Sequence, residues 1–296
     1  MRGVVLPRNQ EENGKLNTAA VIALSKMKSW HRDPRIIAAF FLGLALCFLN
    51  EKRYLAFAAA AGCPIQVVES YIVAGSIVTS FTGMLLGVLL LLSDAPFIEK
   101  LSPYEIIRTG KTKWIAGRIF YIVLSCMLYS LIMAMFSMLL SLSSDGLSLA
   151  DEWSPAMLML SGKQPEFART EFGLFFPYPG FTSAMRPYEA AVLTLALNSC
   201  YFCLLCLCIL AVNIRNGHNF GWAAAAGIHI GGYLISMNVP LMPAYASRLS
   251  LLLDALPAGL YTSALGNPVL PSALTLIGLV CVFAGISLHF AHHYEI

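Results

Sequence analysis

The sequence predicts an all-α integral membrane protein with six transmembrane helices, and three observations carry that expectation. Hydrophobic residues make up 58% of the chain and charged residues 12%, whereas a soluble globular chain carries about 25% charged residues. The charges cluster, leaving uncharged runs such as 71–93 and 119–144, each long enough for a hydrocarbon core that needs about 20 residues. Lys and Arg also fall unevenly on the two sides that six spans define, as the positive-inside rule expects.

Residues 1–35 read as a polar tail and an amphipathic helix over 16–30, with Ala20, Leu24 and Met27 on one face and Lys26 and Lys28 beside it. Such a helix lies in the plane of a membrane surface. No long apolar run with a small-residue cleavage site occurs in this stretch, so the first span is expected to direct its own insertion. That span, about 36–52, follows Pro34 and is short unless 50–53 sit at the interface and snorkel. The Ala-rich segment 54–68, with Gly62 and Pro64, reads as a short interfacial helix or a re-entrant turn.

The second span is 71–92 and the third 119–142, separated by the polar segment 93–118. A long connection, 143–187, carries Pro155, Pro165, Pro177, Pro179 and Pro187 among charges and aromatics, so it reads as a folded or loosely ordered loop and not as a span. The fourth span, 188–212, and the fifth, 220–239, are joined by a tight polar turn. After Pro240 and Pro243 a short external helix is expected near 249–256, and the sixth span is 272–290. The chain thus divides into a tail with its interfacial helix, 1–35, and a six-helix membrane domain, 36–296.

With the amino terminus inside, the inner segments hold Arg2, Arg8, Lys15, Lys26, Lys28, Arg32, Arg35, Lys100, Arg108, Lys111, Lys113, Arg118 and Arg215. The outer ones hold Lys52, Arg53, Lys163, Arg169, Arg186 and Arg248, so thirteen of the 19 Lys and Arg are inside.

Several classes are disfavoured. The net charge is only +3 and no basic run interleaves with aromatics, so no nucleic-acid partner is expected. Seven of the 8 cysteines fall in spans, and Cys200, Cys203, Cys206 and Cys208 have no His, Asp or Glu alongside, so they read as packing residues and no metal site is expected. No intramembrane carboxylate pair, His-Glu-x-x-His motif or Ser with an adjacent base is visible, so no catalytic residues are assigned. A Walker A motif is also absent. His229, midway along the fifth span, reads either as a proton relay or substrate contact, or as a neutral hydrogen-bonding residue. The second reading is the favoured one. His289, His292 and His293 read as a solvated helix end.

The inner segment 93–118 carries the most chemistry. Ser102 suits an N-cap, Pro103 the first helical position, Glu105 a capping-box partner, and Gly110 the end of a two-turn helix. A helix this short is unstable alone in water and must be held against something. Tyr104, Ile107 and Arg108 share one face at helical spacing and offer an aromatic, an aliphatic and a cation. Spacing alone is equally that of a capped loop on the membrane surface.

This segment, with Ser93-Asp94-Ala95-Pro96-Phe97 and Arg108-Thr109-Gly110-Lys111-Thr112-Lys113-Trp114, resembles the region between the second and third spans of bacterial ABC-2 type transporter permeases of the Firmicutes kind. The close resemblance covers 92–121. Elsewhere it rests on the surface helix and the order of six spans. It implies that 103–109 is the coupling helix, with Ser102, Pro103, Tyr104, Glu105, Ile107 and Arg108 meeting a separate ABC ATPase subunit. It further implies a second permease subunit, identical or homologous, and a bacterial plasma membrane location with both termini cytoplasmic. Export is the implied direction. ATP and Mg would sit on the partner ATPase, and this chain would bind no cofactor. The segment Leu160-Ser-Gly-Lys-Gln164 resembles an ATPase signature but departs from it at Lys163 and lies in an outer loop, so it reads as coincidence.

Small residues at Gly75, Thr79, Gly83 and Gly87 mark one face of the second span, and Gly227 and Gly231 recur in the fifth, a pattern that permits close helix packing. The competing expectations are a secondary transporter or channel, and a membrane scaffold without transport.

Overall fold

A computed structural model describes residues 19–92, 95, 102–144, 146–163, 165–176, 178–216, 220–238, 250–261 and 269–291. Helix α1 (19–28) leads through a single 3-10 turn, Trp30–Arg32, into α2 (Pro34–Ala60). Asp33 caps α2, its Oδ1 accepting from the Arg35 backbone N–H at 3.0 Å, and Pro34 occupies the first turn, where its missing N–H costs nothing. The helix then runs 27 residues. No breaker interrupts it before Gly62, which turns the chain with φ +64°, and Pro64 follows. The first span therefore does not stop near 52 with a separate interfacial helix beyond it. Residues 54–60 continue the same helix, because alanines carry it forward.

The expected second span is broken. Helix α3 (Glu69–Ser76) and helix α4 (Val78–Leu92) meet at Ile77 with an 85° bend. Helix α5 (Ser102–Thr109) leads directly into α6 (Lys111–Ser141). The connection 143–187 is folded: α7 (Pro155–Leu158), a π-helical turn (Met159–Lys163), α8 (Pro165–Phe172) and α9 (Pro179–Ala184). Then come α10 (Pro187–Asn216), α11 (Phe220–Asn238), α12 (Leu251–Ala255), α13 (Pro257–Leu260) and α14 (Val269–Phe290). The short helix expected near 249–256 is α12, opened by Ser250, whose hydroxyl accepts from Leu253 N–H at 3.2 Å. It is packed into the bundle, with Leu252 and Ala255 fully buried.

Among the described residues four helices are long and apolar enough to cross a membrane: α2, α6, α10 and α14. The bent pair α3–α4 makes a fifth if counted as one span. Helix α10 is central, with 78% of its most apolar stretch buried, while α14 is peripheral at 11%. The protein is a helical membrane protein by these measures.

Two cores result. One fills the bundle around Phe81, Tyr121, Tyr129, Tyr201 and Phe202, with Phe81 and Phe202 stacked at 5.2 Å. The other lies beneath the folded connection, where Tyr54, Phe57, Ile65, Met157, Phe176 and Phe181 pack together. A two-residue parallel ladder, β1 (Ile65–Gln66) with β2 (Leu147–Ser148), ties this cap to the α2–α3 turn.

Candidate functional site

The sequence-predicted site residues of 102–108 lie together on α5, at the opposite end of α6 from the cap. Gly110 joins the two helices at φ +85°, a conformation that a side chain resists. Its N–H donates to Ile106 O at 2.8 Å, closing α5, and its carbonyl accepts from Trp114 N–H at 3.0 Å, opening α6. Helix α5 is held from beneath. Ser102 and Ile106 are buried, while Pro103, Glu105 and Arg108 are exposed, Tyr104 is 71% exposed and Ile107 83%. The aromatic–aliphatic–cation face thus points away from the bundle.

Glu105 has a role that the capping-box reading did not contain. Its Oε2 accepts from Trp114 Nε1 at 3.1 Å and from Arg118 at 3.4 Å. Arg118 is 3% exposed and its guanidinium lies 4.7 Å from the centre of the Trp114 ring. This pairing ties α5 to the first turns of α6 at a place where water is scarce on one side only. Helix α1 packs on the same turns. Ile22 lies against Gly117, and Trp30 donates to the Tyr121 hydroxyl at 3.0 Å. Ala19 and Ala23 are buried there, whereas Val21, Leu24, Ser25 and Lys28 are exposed, so the outward face of α1 carries two apolar residues beside polar and charged ones.

The small-residue series does not form one face. The bend at Ile77 separates Gly75, on α3, from the rest, and leaves Thr79 exposed at the start of α4. A Cβ on Gly75 would meet Thr194 at 2.5 Å, and one on Gly83 would meet the Leu46 Cβ at 3.0 Å. One on Gly87 would meet the Ala39 carbonyl oxygen at 2.8 Å and the Tyr129 hydroxyl. These three are sites of close approach. Gly227 and Gly231 meet nothing within 4 Å; the tight contacts of α11 are at Gly221 and Gly232 instead.

His229 is 8% exposed and uses both ring nitrogens. Thr82 donates to Val78 O at 2.8 Å, so its hydroxyl oxygen accepts from Nε2 at 3.0 Å, which leaves Nδ1 to accept from Tyr201 at 3.1 Å. That chain of donors assigns one neutral tautomer and bridges α4, α10 and α11, the bland reading of this residue. All 8 cysteines are free thiols. His289 ends α14, while His292 and His293 lie outside the described residues.

Two buried glutamates escaped the sequence reading. Glu69, at the start of α3, is fully buried. Its Oε1 accepts from Ser154 N–H at 2.7 Å, and its Oε2 from the Tyr54 hydroxyl at 2.8 Å, Gln66 N–H at 2.9 Å and the Ser154 hydroxyl at 2.6 Å. It clamps α2, the β1 turn and the cap. Glu51, on α2, is 1% exposed; its Oε1 meets the Ser137 hydroxyl and accepts from Cys47 Sγ at 3.0 Å. Its Oε2 has no partner.

Beside the cap lies a cleft of about 780 Å³ lined by Asp151, Glu152, Trp153, Arg186 and Glu189 among others. Arg186 and Asp151 approach there to 3.8 Å. The chain matches no family model, no curated protein and no solved structure.

Proposed function

We propose that this chain is the membrane-spanning permease subunit of an ABC-2 type transporter, driven by a separate ATP-binding subunit. The observation that carries the reading is α5. It presents Tyr104, Ile107 and Arg108 outward, while Ser102 and Ile106 and the Glu105–Trp114–Arg118 contacts hold its other side against the bundle. An exposed aromatic and aliphatic beside a cation, on a helix fixed at its base, form the kind of anchor that a partner groove takes. A rigid seat also gives such a partner a direct purchase on α6.

In this reading six spans, α11 included, place both termini in the cytoplasm of a bacterium, and a second permease subunit completes the pathway. Export is the direction the resemblance favours. The chain makes and breaks no covalent bond; ATP and Mg belong to the ATPase. A secondary transporter is the second reading, and Glu51 favours it, because buried carboxylates in spanning helices serve ion-coupled carriers.

The test asks whether an ATPase with Walker motifs is encoded beside this chain, expresses the two together, and measures co-purification and substrate-stimulated ATP hydrolysis. The Tyr104→Ala, Arg108→Glu double variant is expected to insert normally and to lose association by tenfold or more, the effect of removing about 1.4 kcal/mol or more from a contact. Normal association and coupling in that variant would sink the assignment.

A further inference from the structure

We propose that Glu51 is a proton-binding site inside the helix bundle, exchanging its proton with the cavity at the cap end of α2 and α6. The inference is independent of the permease reading. It rests on the arrangement of donors around the two buried glutamates.

Glu69 has four donors spread over both oxygens, the environment of an anion. Glu51 has no such set. The Ser137 hydroxyl has one proton and two acceptors within reach, its own helix's Met133 O at 3.0 Å and Glu51 Oε1. Were Glu51 ionised, Ser137 could serve only one of them, and Oε2 would carry charge in an apolar interior with no donor at all. With a proton on Glu51 no charge is stranded, and Cys47 Sγ still donates to Oε1. The acid donates to Ser137 Oγ, Ser137 donates to Met133 O, and Oε2 is left as a neutral carbonyl oxygen. No Lys or Arg pairs with Glu51 among the described residues; its neighbours Lys52 and Arg53 face outward. The titratable groups facing it are Cys47 on its own helix and Tyr71 from α3, while α6 contributes only Ser137.

A route for exchange lies beside it. Ser137 and Ser141 follow at helical spacing on the last turns of α6, Ser144 lies just past its end, and Ser70 of α3 joins them. Ser70 donates to Ser137 O at 3.1 Å and its hydroxyl lies 2.5 Å from that of Ser141. Ser144 lines a cavity of about 480 Å³ with Leu55, Ala59, Cys63, Pro64 and Gly146. Leu55 is one helical turn beyond Glu51. The polar seam therefore points from the orphaned carboxyl toward the cavity, and the proton lost from Glu51 reaches water there once a water or a turned hydroxyl closes the gaps at the Ser137 and Ser141 carbonyls.

The test treats the purified full-length protein in lipid nanodiscs with an apolar carbodiimide, which adds to protonated carboxyls in apolar surroundings, and maps the adducts by peptide mass spectrometry. The expected result is an adduct at Glu51 at neutral pH, exceeding that at the equally buried Glu69 by tenfold or more and lost as the buffer is made alkaline. Glu51→Gln, whose amide donates to Ser137 as the acid does, is expected to keep the wild-type melting temperature at neutral pH. Labelling at Glu51 no greater than at Glu69, or unchanged by alkali, overturns the proposal. So does a Glu51→Gln protein that melts well below the wild type.

Discussion

Replacing Glu69 by Gln keeps the shape of the side chain and removes its charge, so the cost can be worked from the four donors around it. The amide nitrogen is a donor and cannot accept. Its least damaging place is at Oε1, where it faces only the Ser154 N–H and leaves Oε2 to its three partners. That buried N–H then loses its acceptor, at a cost of about 1–3 kcal/mol. The three remaining bonds change from charge-assisted to neutral, each weakening by roughly 1 kcal/mol. A total loss of about 4–6 kcal/mol follows, concentrated where α2, the β1–β2 ladder and the cap meet. Hydrogen exchange of the variant in nanodiscs should show faster exchange over 146–176 than in the wild type, with α10 and α14 unaffected. Equal protection of the cap in the two proteins would refute the view that this carboxylate holds it down.

Two further predictions follow. Gly87→Ala places a methyl group against the Ala39 carbonyl and the buried Tyr129 hydroxyl, and overpacking of that kind costs about 1–3 kcal/mol. Gly227→Ala meets nothing and gains up to about 1 kcal/mol of helix propensity, so thermal unfolding in detergent should drop for the first and hold or rise for the second; equal melting of both would contradict the packing. Cys63, half-buried at the cap end, should react with an impermeant thiol reagent from outside the cell, and Lys111→Cys only from inside. Labelling of position 111 from outside would reverse the six-span orientation.

Much of this arrangement was legible from residue order. The long apolar runs gave the four helices long and apolar enough to span, α2, α6, α10 and α14, and Ser102-Pro103 with Gly110 gave α5 almost residue for residue. The bend at Ile77 was not read from residue order, because 71–92 carries no charge and no proline at the break, and Gly75-Ser76 just before it passes for small-residue packing; in the fold α3 packs against α2, α6 and α10. Thr79 fell out of the small-residue face for that reason. Glu51 hid among Asn50, Lys52 and Arg53, which together read as an interfacial cluster. A signal did exist: Cys47 one turn before it, and Ser137 and Ser141 one turn apart near the end of α6, are partners that a buried acid would need. Glu69 offered less, since three of its four donors come from residues 66 and 154, brought near only by the ladder and the cap.

The bend also sets how this protein meets lipid. Helix α4 has 15 residues, about 22 Å at 1.5 Å per residue, against a hydrocarbon thickness of about 30 Å. Every residue of α3 is buried, so its turned-over backbone is screened from acyl chains, as irregular backbone at membrane depth must be. What α4 cannot supply is then a local shortfall of roughly 8 Å in hydrophobic height. Thinner bilayers would reduce that mismatch and thicker ones enlarge it, so acyl-chain length is expected to bear on the angle at Ile77.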